Sequence, residues 1–187
     1  MGFDAVIGNP PYVRQESITK QKKYFETQYT VYQGTADLYA YFIEKGISLL
    51  RPKGILSYIV TNKWMRANYG KPLRKHLLMK QIDGIIDFGD LPVFKTATTD
   101  PCIIRISNEK PVRVLYSVDV DALDFSSLDN YVVVNRYPFD PKTLTDDGWS
   151  LGDHATEKLL SKLRGISYPV EEYVKGRIYR RDCNWKQ

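Results

Sequence analysis

The chain has 187 residues, 43% of them hydrophobic, 26% charged and 13% aromatic, with a formal charge of +5. That composition excludes a disordered chain and suits one domain, or one domain plus a fragment. No apolar run reaches the roughly eighteen residues of a membrane span, and Met1-Gly2-Phe3-Asp4 lacks the layout of a secretory leader. Cys102 and Cys183, with two histidines, give neither a disulfide framework nor metal-ligand spacing. The expectation is a soluble, cytoplasmic, metal-free protein without a membrane partner.

In chain order, Phe3–Gly8 is a short apolar run cut off by Gly8-Asn9-Pro10-Pro11, and it reads as a buried strand ending in a turn. Residues 13–35 are polar, basic and Tyr-rich with no clean period, so they read as a long loop of the kind that is functional or disordered. Residues 37–51 read as a helix. Leu38, Phe42 and Leu49 form one apolar stripe and Tyr39, Ile43, Ile47 and Leu50 another, enough to lie against a sheet. Arg51-Pro52-Lys53-Gly54 reads as a turn and Ile55–Val60 as a strand buried on both faces. A second helix over residues 63–80 is broken or restarted at Pro72, and Ile82–Phe88 and Cys102–Ile106 are further strands.

This alternation predicts a parallel-type α/β sheet. Beyond residue 110, Val112–Val118 and Tyr131–Tyr137 alternate like antiparallel strands joined by an Asp-rich loop. A helix near 153–164 follows, with Asp153 as its N-cap. The division expected is 1–110 and 111–187, the second part a small α+β extension. Nothing precedes the first strand to cover one of its edges. The chain therefore looks like the back half of a larger α/β domain, and that edge admits a homodimer.

Charge is unevenly spread. Residues 13–80 hold thirteen Lys/Arg against four Asp/Glu, a net +9, while the remainder is −4. A basic half is the electrostatic footprint of a polyanion binder, and a solvated basic surface has the same composition.

The sharpest signal is Asn9-Pro10-Pro11-Tyr12 directly after an apolar strand. Two prolines stiffen the backbone and remove two amide donors, so a carbonyl there can serve as a pure acceptor. The Asn9 side-chain oxygen is a second acceptor, and Tyr12 offers a ring on which a planar group can stack. Such a pocket takes a flat molecule and accepts two hydrogens from its exocyclic amine. A rigid surface turn is the plainer reading of the same residues.

With this motif the chain resembles the gamma-class amino-methyltransferases of type II restriction–modification systems, which use S-adenosylmethionine to methylate the exocyclic amine of adenine in DNA. The resemblance continues through Asp37–Glu44 and Leu49–Gly54, through Ile59-Val60-Thr61-Asn62-Lys63-Trp64-Met65 and through Gly70–Lys75. It reaches Asp87-Phe88-Gly89, Leu91-Pro92-Val93-Phe94 and Thr96, Ala97, Thr98, a loop that in the family places a second aromatic against the target base. It spans residues 3–107 strongly and extends weakly to Gly176-Arg177-Ile178-Tyr179-Arg180, which resembles the approach to the DNA-recognition domain.

The implied fold is the C-terminal half of a Rossmann-like S-adenosylmethionine-dependent methyltransferase sheet. The implied mechanism is base flipping in double-stranded DNA: Tyr12 and Phe94 restore stacking to the extruded adenine, while the Asn9 oxygen and Pro10 carbonyl accept from its amine. Those acceptors favour a more tetrahedral nitrogen, freeing its lone pair to attack the sulfonium methyl, and they contribute most where positive charge develops. Arg14, Lys20, Lys22 and Lys23, with Tyr24, Tyr29 and Tyr32, are candidate contacts to phosphate and unpaired bases. Lys63, Arg66, Arg74 and His76 read as a solvated helix face, and Cys102 as core.

Two departures set further expectations. The family's glycine-rich cofactor loop and ribose-binding acid precede the catalytic motif, where this chain has eight residues, so most of the cofactor pocket is expected to be missing and the isolated chain inactive. After Arg180 the family continues with a Gly-Ile-x-Thr-Gly-like segment, whereas Arg181-Asp182-Cys183-Asn184-Trp185-Lys186-Gln187 stand here. Read one base later, codon degeneracy permits Gly-Ile-Ala-Thr-Gly-Asn, which sets the expectation of a frameshift. Two other functions use similar residues: a methyltransferase for a release-factor glutamine or a ribosomal RNA base, and a non-catalytic fragment that binds DNA or associates with itself.

Overall fold

The computed structural model describes residues 1–94 and 99–151 and, beyond them, residues 159, 162, 163, 165–168 and 170–174. The chain divides into two compact units, Met1–Leu151 and Gly152–Gln187.

The first unit is built on a six-stranded sheet of β1 (Phe3–Gly8), β2 (Leu50–Thr61), β3 (Gln81–Asp87), β4 (Pro101–Ser107), β5 (Leu115–Asp119) and β6 (Tyr137–Phe139), in the order β1-β2-β4-β3-β5-β6. Pairs β1–β2 and β3–β5 are parallel. β4 runs antiparallel to both β2 and β3, and β6 antiparallel to β5. The sheet is therefore mixed, which corrects the parallel expectation. An apolar run reads the same in either direction. Only a crossover forces parallel pairing, and none of the described residues between β3 and β4 is helical, so the chain can return antiparallel.

Helices α1 (Lys22–Gln28), α2 (Leu38–Ser48), α3 (Lys71–Leu77) and α4 (Leu128–Asn135) complete the unit. Of the two apolar stripes on α2, the sheet takes Tyr39, Ile43 and Ile47, all buried, while Phe42 is exposed. Each such isoleucine contributes about 1.5–3 kcal/mol by leaving water. Gly46 permits the close approach, because a Cβ there would lie 2.5 Å from Leu56 Cδ1 on β2. Beneath α2 and α3, the residues Leu56, Val60, Ile85, Ile104 and Ile106 have no solvent exposure. Pro72 restarts the helix as expected, standing in the first turn of α3 after two short 3-10 turns at Asn62–Met65 and Asn68–Gly70.

Five sequence expectations change. β1, expected to be buried, has Phe3, Asp4, Ala5 and Ile7 exposed because it stands at the sheet margin. Ile55–Val60, expected to be buried on both faces, buries Leu56, Tyr58 and Val60 on one face and leaves Ile55, Ser57 and Ile59 on the other partly exposed. The Arg51–Gly54 turn is an irregularity inside β2: Phe3 pairs with Leu50 but Ala5 with Ile55, and Lys53 adopts φ 63° to make the excursion. The 13–35 stretch contains α1 and packs inward through Ile18, Phe25 and Val31, with Phe25 stacked on Tyr41 at 4.3 Å. Tyr131–Asn135 is helical rather than extended. Its Leu128, Tyr131 and Val132 follow helical spacing and pack on a small second cluster around Phe88, Val118 and Val120, so packing overrides the β-propensity of three consecutive valines.

The change of character near residue 110 brings no break in the sheet, which β5 and β6 continue. In the second unit α5 (Val170–Tyr173) is helical, as are Leu159, Lys162 and Leu163. Most of the helix expected at 153–164, its N-cap Asp153, and residues 176–187 lie outside the described residues. Among the described residues no helix is long and apolar enough to cross a membrane, and no group of three His, Cys, Asp or Glu could hold a metal ion.

Candidate active site

Register places the carboxyl ends of β1, β2 and β3 and the start of β4 at one end of the sheet: Gly8 pairs with Tyr58, Thr61 with Pro101, and Asp87 with Cys102. In α/β sheets the loops beyond those ends form the ligand crevice. Here they are the Asn9-Pro10-Pro11-Tyr12 turn after β1, the Asn62 turn after β2 and the connection from Phe88 to Asp100.

Asn9 and Pro11 are exposed, Pro10 is buried, and Tyr12 is half-buried. The Val13 N–H donates to the Pro11 carbonyl at 2.9 Å, curling the chain tightly after the second proline. The turn is then tied to the start of α2 in both directions. The Leu38 N–H donates to the Val13 carbonyl at 3.0 Å, satisfying a donor that a helix start leaves free. The Gln15 N–H donates to Asp37 Oδ1 at 3.0 Å. Burial raises the Asp37 carboxyl above its ordinary value, with the Gln15 amide, Arg14 and Lys63 opposing.

Phe94 approaches from the other side. Its ring stands 6.3 Å from that of Tyr12 at 64°, an edge-to-face contact. The Tyr12 and Thr99 hydroxyls are both buried without a hydrogen-bond partner among the described residues. Burial pushes the Tyr12 phenol up, with nearby Cys102 adding and the Thr99 hydroxyl offsetting in part. Cys102 is wholly buried and its thiol is pushed far up by burial, so it is no nucleophile. Tyr39 beneath the site bonds Tyr69, their hydroxyls 3.2 Å apart, and burial raises it well above the ordinary phenol value.

Among the basic residues proposed from sequence, Arg14, Lys20 and Lys23 are exposed, while Lys22 is half-buried with its ammonium on the Gln15 side-chain oxygen. Tyr24 is exposed, but Tyr29 and Tyr32 pack partly against the core. Lys63 and Arg66 are exposed, whereas Arg74 corrects the solvated-face reading. It is 1% exposed, and its guanidinium donates to the Trp64, Ala67 and Asp146 carbonyls, filling gaps that the 3-10 turns leave. His76 is partly buried, with Nδ1 3.1 Å from Thr30 Oγ1.

Sequence reasoning gave no separate role to Asn62, Asp87 or Thr99. Asp87-Phe88-Gly89 carried a signal for one of them: an Asp two residues before a glycine makes a side-chain turn, seen here as the Gly89 N–H donating to Asp87 Oδ1 at 3.0 Å.

A sheet with an antiparallel strand between parallel ones, helices α2 and α3 on one face and a loop-built crevice at the carboxyl ends is the class I S-adenosylmethionine-dependent methyltransferase fold. The type IIG restriction endonuclease BpuSI shares it at a TM-score of 0.58 and 15% identity, over 92% of this chain and 22% of that one. A Listeria monocytogenes protein assigned to class I of those methyltransferases shares it at 0.53 and 20% identity, over 71% of this chain and 41% of that one. Residues 1–94 match the Eco57I restriction-modification methylase family, and the chain belongs to that family. The type II restriction enzyme and methyltransferase RM.Eco57I of Escherichia coli is 30% identical over 178 residues, and M.XhoI, a type II methyltransferase of Xanthomonas vasicola, is 35% identical over 139. The chain spans 92% and 67% of itself in those alignments but only 17% and 25% of the relatives.

Proposed function

We propose that this chain is the target-base half of a site-specific DNA methyltransferase of a type II restriction–modification system, acting on the exocyclic amine of adenine flipped from double-stranded DNA. The observation that carries the reading is the meeting of Tyr12 and Phe94, 6.3 Å apart, beside the Asn9-Pro10 acceptors. A base stacked on Tyr12 meets Phe94 at its edge, which repays part of the stacking lost on flipping. The Asn9 side-chain oxygen and Pro10 carbonyl accept from the amine, orient it and favour charge development on nitrogen. Exposed Arg14, Lys20 and Lys23, with Lys22, contact phosphate, and the chain from residue 111 leads into a DNA-recognition domain.

S-adenosylmethionine is the methyl donor in this reading. The described residues around the end of β1 offer acceptors and aromatic faces, which fit the accepting amine and not the donor. Its site is assigned to the rest of the whole protein. β1 stands at the sheet margin with Phe3 and Ile7 exposed, and we assign that open edge to continuation of the same sheet in the whole protein rather than to a second copy.

The test follows tritium transfer from S-adenosylmethionine to duplex DNA by the whole protein and its Asn9→Ala form. Transfer to adenine, reduced at least about 100-fold by the substitution, supports the reading. Transfer to protein or RNA instead refutes it and moves the site to another planar amine.

A further inference from the structure

Phe94 sits on a connection that leaves β3 at Phe88 and rejoins β4 at Pro101, and one residue outside that connection holds both of its ends. The Asn62 backbone N–H donates to the Asp100 carbonyl at 2.7 Å, at the returning end. The Asn62 side-chain amide donates to Asp87 Oδ1 at 2.9 Å, at the leaving end. That same carboxylate oxygen accepts the Gly89 N–H at 3.0 Å, where glycine's φ of +55° turns the chain away from the strand. The Phe88 N–H donates to the Pro101 carbonyl at 3.0 Å, so the two ends also touch each other. From this base the chain carries Leu91 and Val93 onto the small apolar cluster and Phe94 to Tyr12, and Thr99 returns beside the Tyr12 hydroxyl one residue before the Asp100 bond.

We propose that Asn62 is a positioning residue: by clamping both ends of the 88–100 connection to the end of β2, it sets where Phe94 and Thr99 stand against Tyr12. This rests on the functional reading above and deepens it. The geometry demands an amide. A carboxylate at 62 would face Asp87 with like charge, whereas exchanging the two groups restores one donor opposite one acceptor and still leaves an oxygen for the Gly89 N–H.

The test uses the whole protein with Asn62→Asp, Asp87→Asn, the double exchange, Phe94→Ala, and Asn62→Asp combined with Phe94→Ala. Asn62→Asp is expected to lower kcat/KM for methyl transfer about 10- to 100-fold, the scale of a misplaced positioning group. Asp87→Asn stays within about threefold of wild type, and the double exchange recovers to within about fivefold. In the Phe94→Ala background Asn62→Asp costs almost nothing further, since the arm it aims is gone. An equal loss in both backgrounds, or an exchange that stays as impaired as Asn62→Asp, overturns the proposal. Hydrogen exchange at the Phe88 and Gly89 amides decides independently of what the protein methylates. Exchange about tenfold faster in Asn62→Asp, slowed again in the double exchange, supports the clamp, and unchanged exchange overturns it even if the wild type methylates no DNA.

Discussion

The two aromatic arms of the site are supported in different ways. The Tyr12 arm belongs to the large core: Val13 packs against it, Ile18 and Val31 are buried in it, and two hydrogen bonds, one between main chains and one to the Asp37 carboxylate, fasten the arm to the start of α2. The Phe94 arm lies on the other cluster, where, among the described residues, Phe88, Val118 and Val120 are buried and Leu91 and Val93 only partly so. The first arm folds with the domain. The second is held by a few apolar contacts and a polar clamp, and regions with few buried contacts open at the lowest free energy. Whatever moves the two rings apart therefore moves Phe94 before Tyr12.

The largest test of that contrast compares the two supports directly. Ile104→Ala, unexposed beneath α2, should cost about 3–4 kcal/mol in urea denaturation, while Val93→Ala should cost under about 1 kcal/mol. Equal losses would break the comparison. Next, Glu44 accepts the Thr30 and Val31 N–H groups at 3.0 and 2.9 Å and so holds the Tyr12 side of the chain to α2. Glu44→Ala leaves the Val31 amide unpaired and should cost about 1–3 kcal/mol, with Glu44→Gln, which keeps one oxygen, costing less.

Two smaller effects are read against pH. Burial lowers the His76 imidazole below its ordinary value, and nearby Lys80 adds while Glu44 opposes. The unfolded chain takes up that proton first, so stability should hold above about pH 6.5 and fall as pH drops below it, by at most about 1.4 kcal/mol per unit. His76→Gln should flatten that limb of the denaturation profile. Asp37 behaves oppositely, since its raised value means that ionisation is disfavoured in the folded state. Stability contributed there is complete below the ordinary carboxylate value and declines as pH rises just above it. Asp37→Asn, which keeps an oxygen for the Gln15 amide, should remove that decline and gain a few tenths of a kcal/mol at pH 7, the group being partly solvated.

Much of this was legible from residues alone, and the parts that were not share a cause. β1, the turn at Asn9–Tyr12, α2 and the restart at Pro72 rest on local chemistry: an apolar run, paired prolines and helical spacing. Phe94 was named from its family resemblance, and the structure stands it beside Tyr12. The direction of β4 was hidden because strand direction lies in a connection, not in Cys102–Ile106 themselves. α1 was hidden because Ile18, Phe25 and Val31 bury without a helical period, Phe25 by stacking on Tyr41 of another helix. The burial of Arg74 was equally invisible, since its three acceptors are backbone carbonyls, which any sequence supplies. Asn62 escaped for the same reason: one of its two bonds is main chain to main chain.

The place of β4 in the sheet also orders events during synthesis. It lies between β2 and β3, both of which leave the ribosome before it. Until residues 101–107 emerge, two apolar strands wait with a vacant lane between them, and neither can hydrogen-bond its native neighbour on that side. The middle of the sheet closes only then, through pairings whose partners lie up to 52 positions apart, such as Ile55 with Ser107, before β5 and β6 add to the free edge of β3. Separations of that kind slow folding and lengthen the exposure of unpaired strand edges. The hairpin of β3 and β4 is thus both the support of the Phe94 arm and the wedge that closes the centre of the sheet.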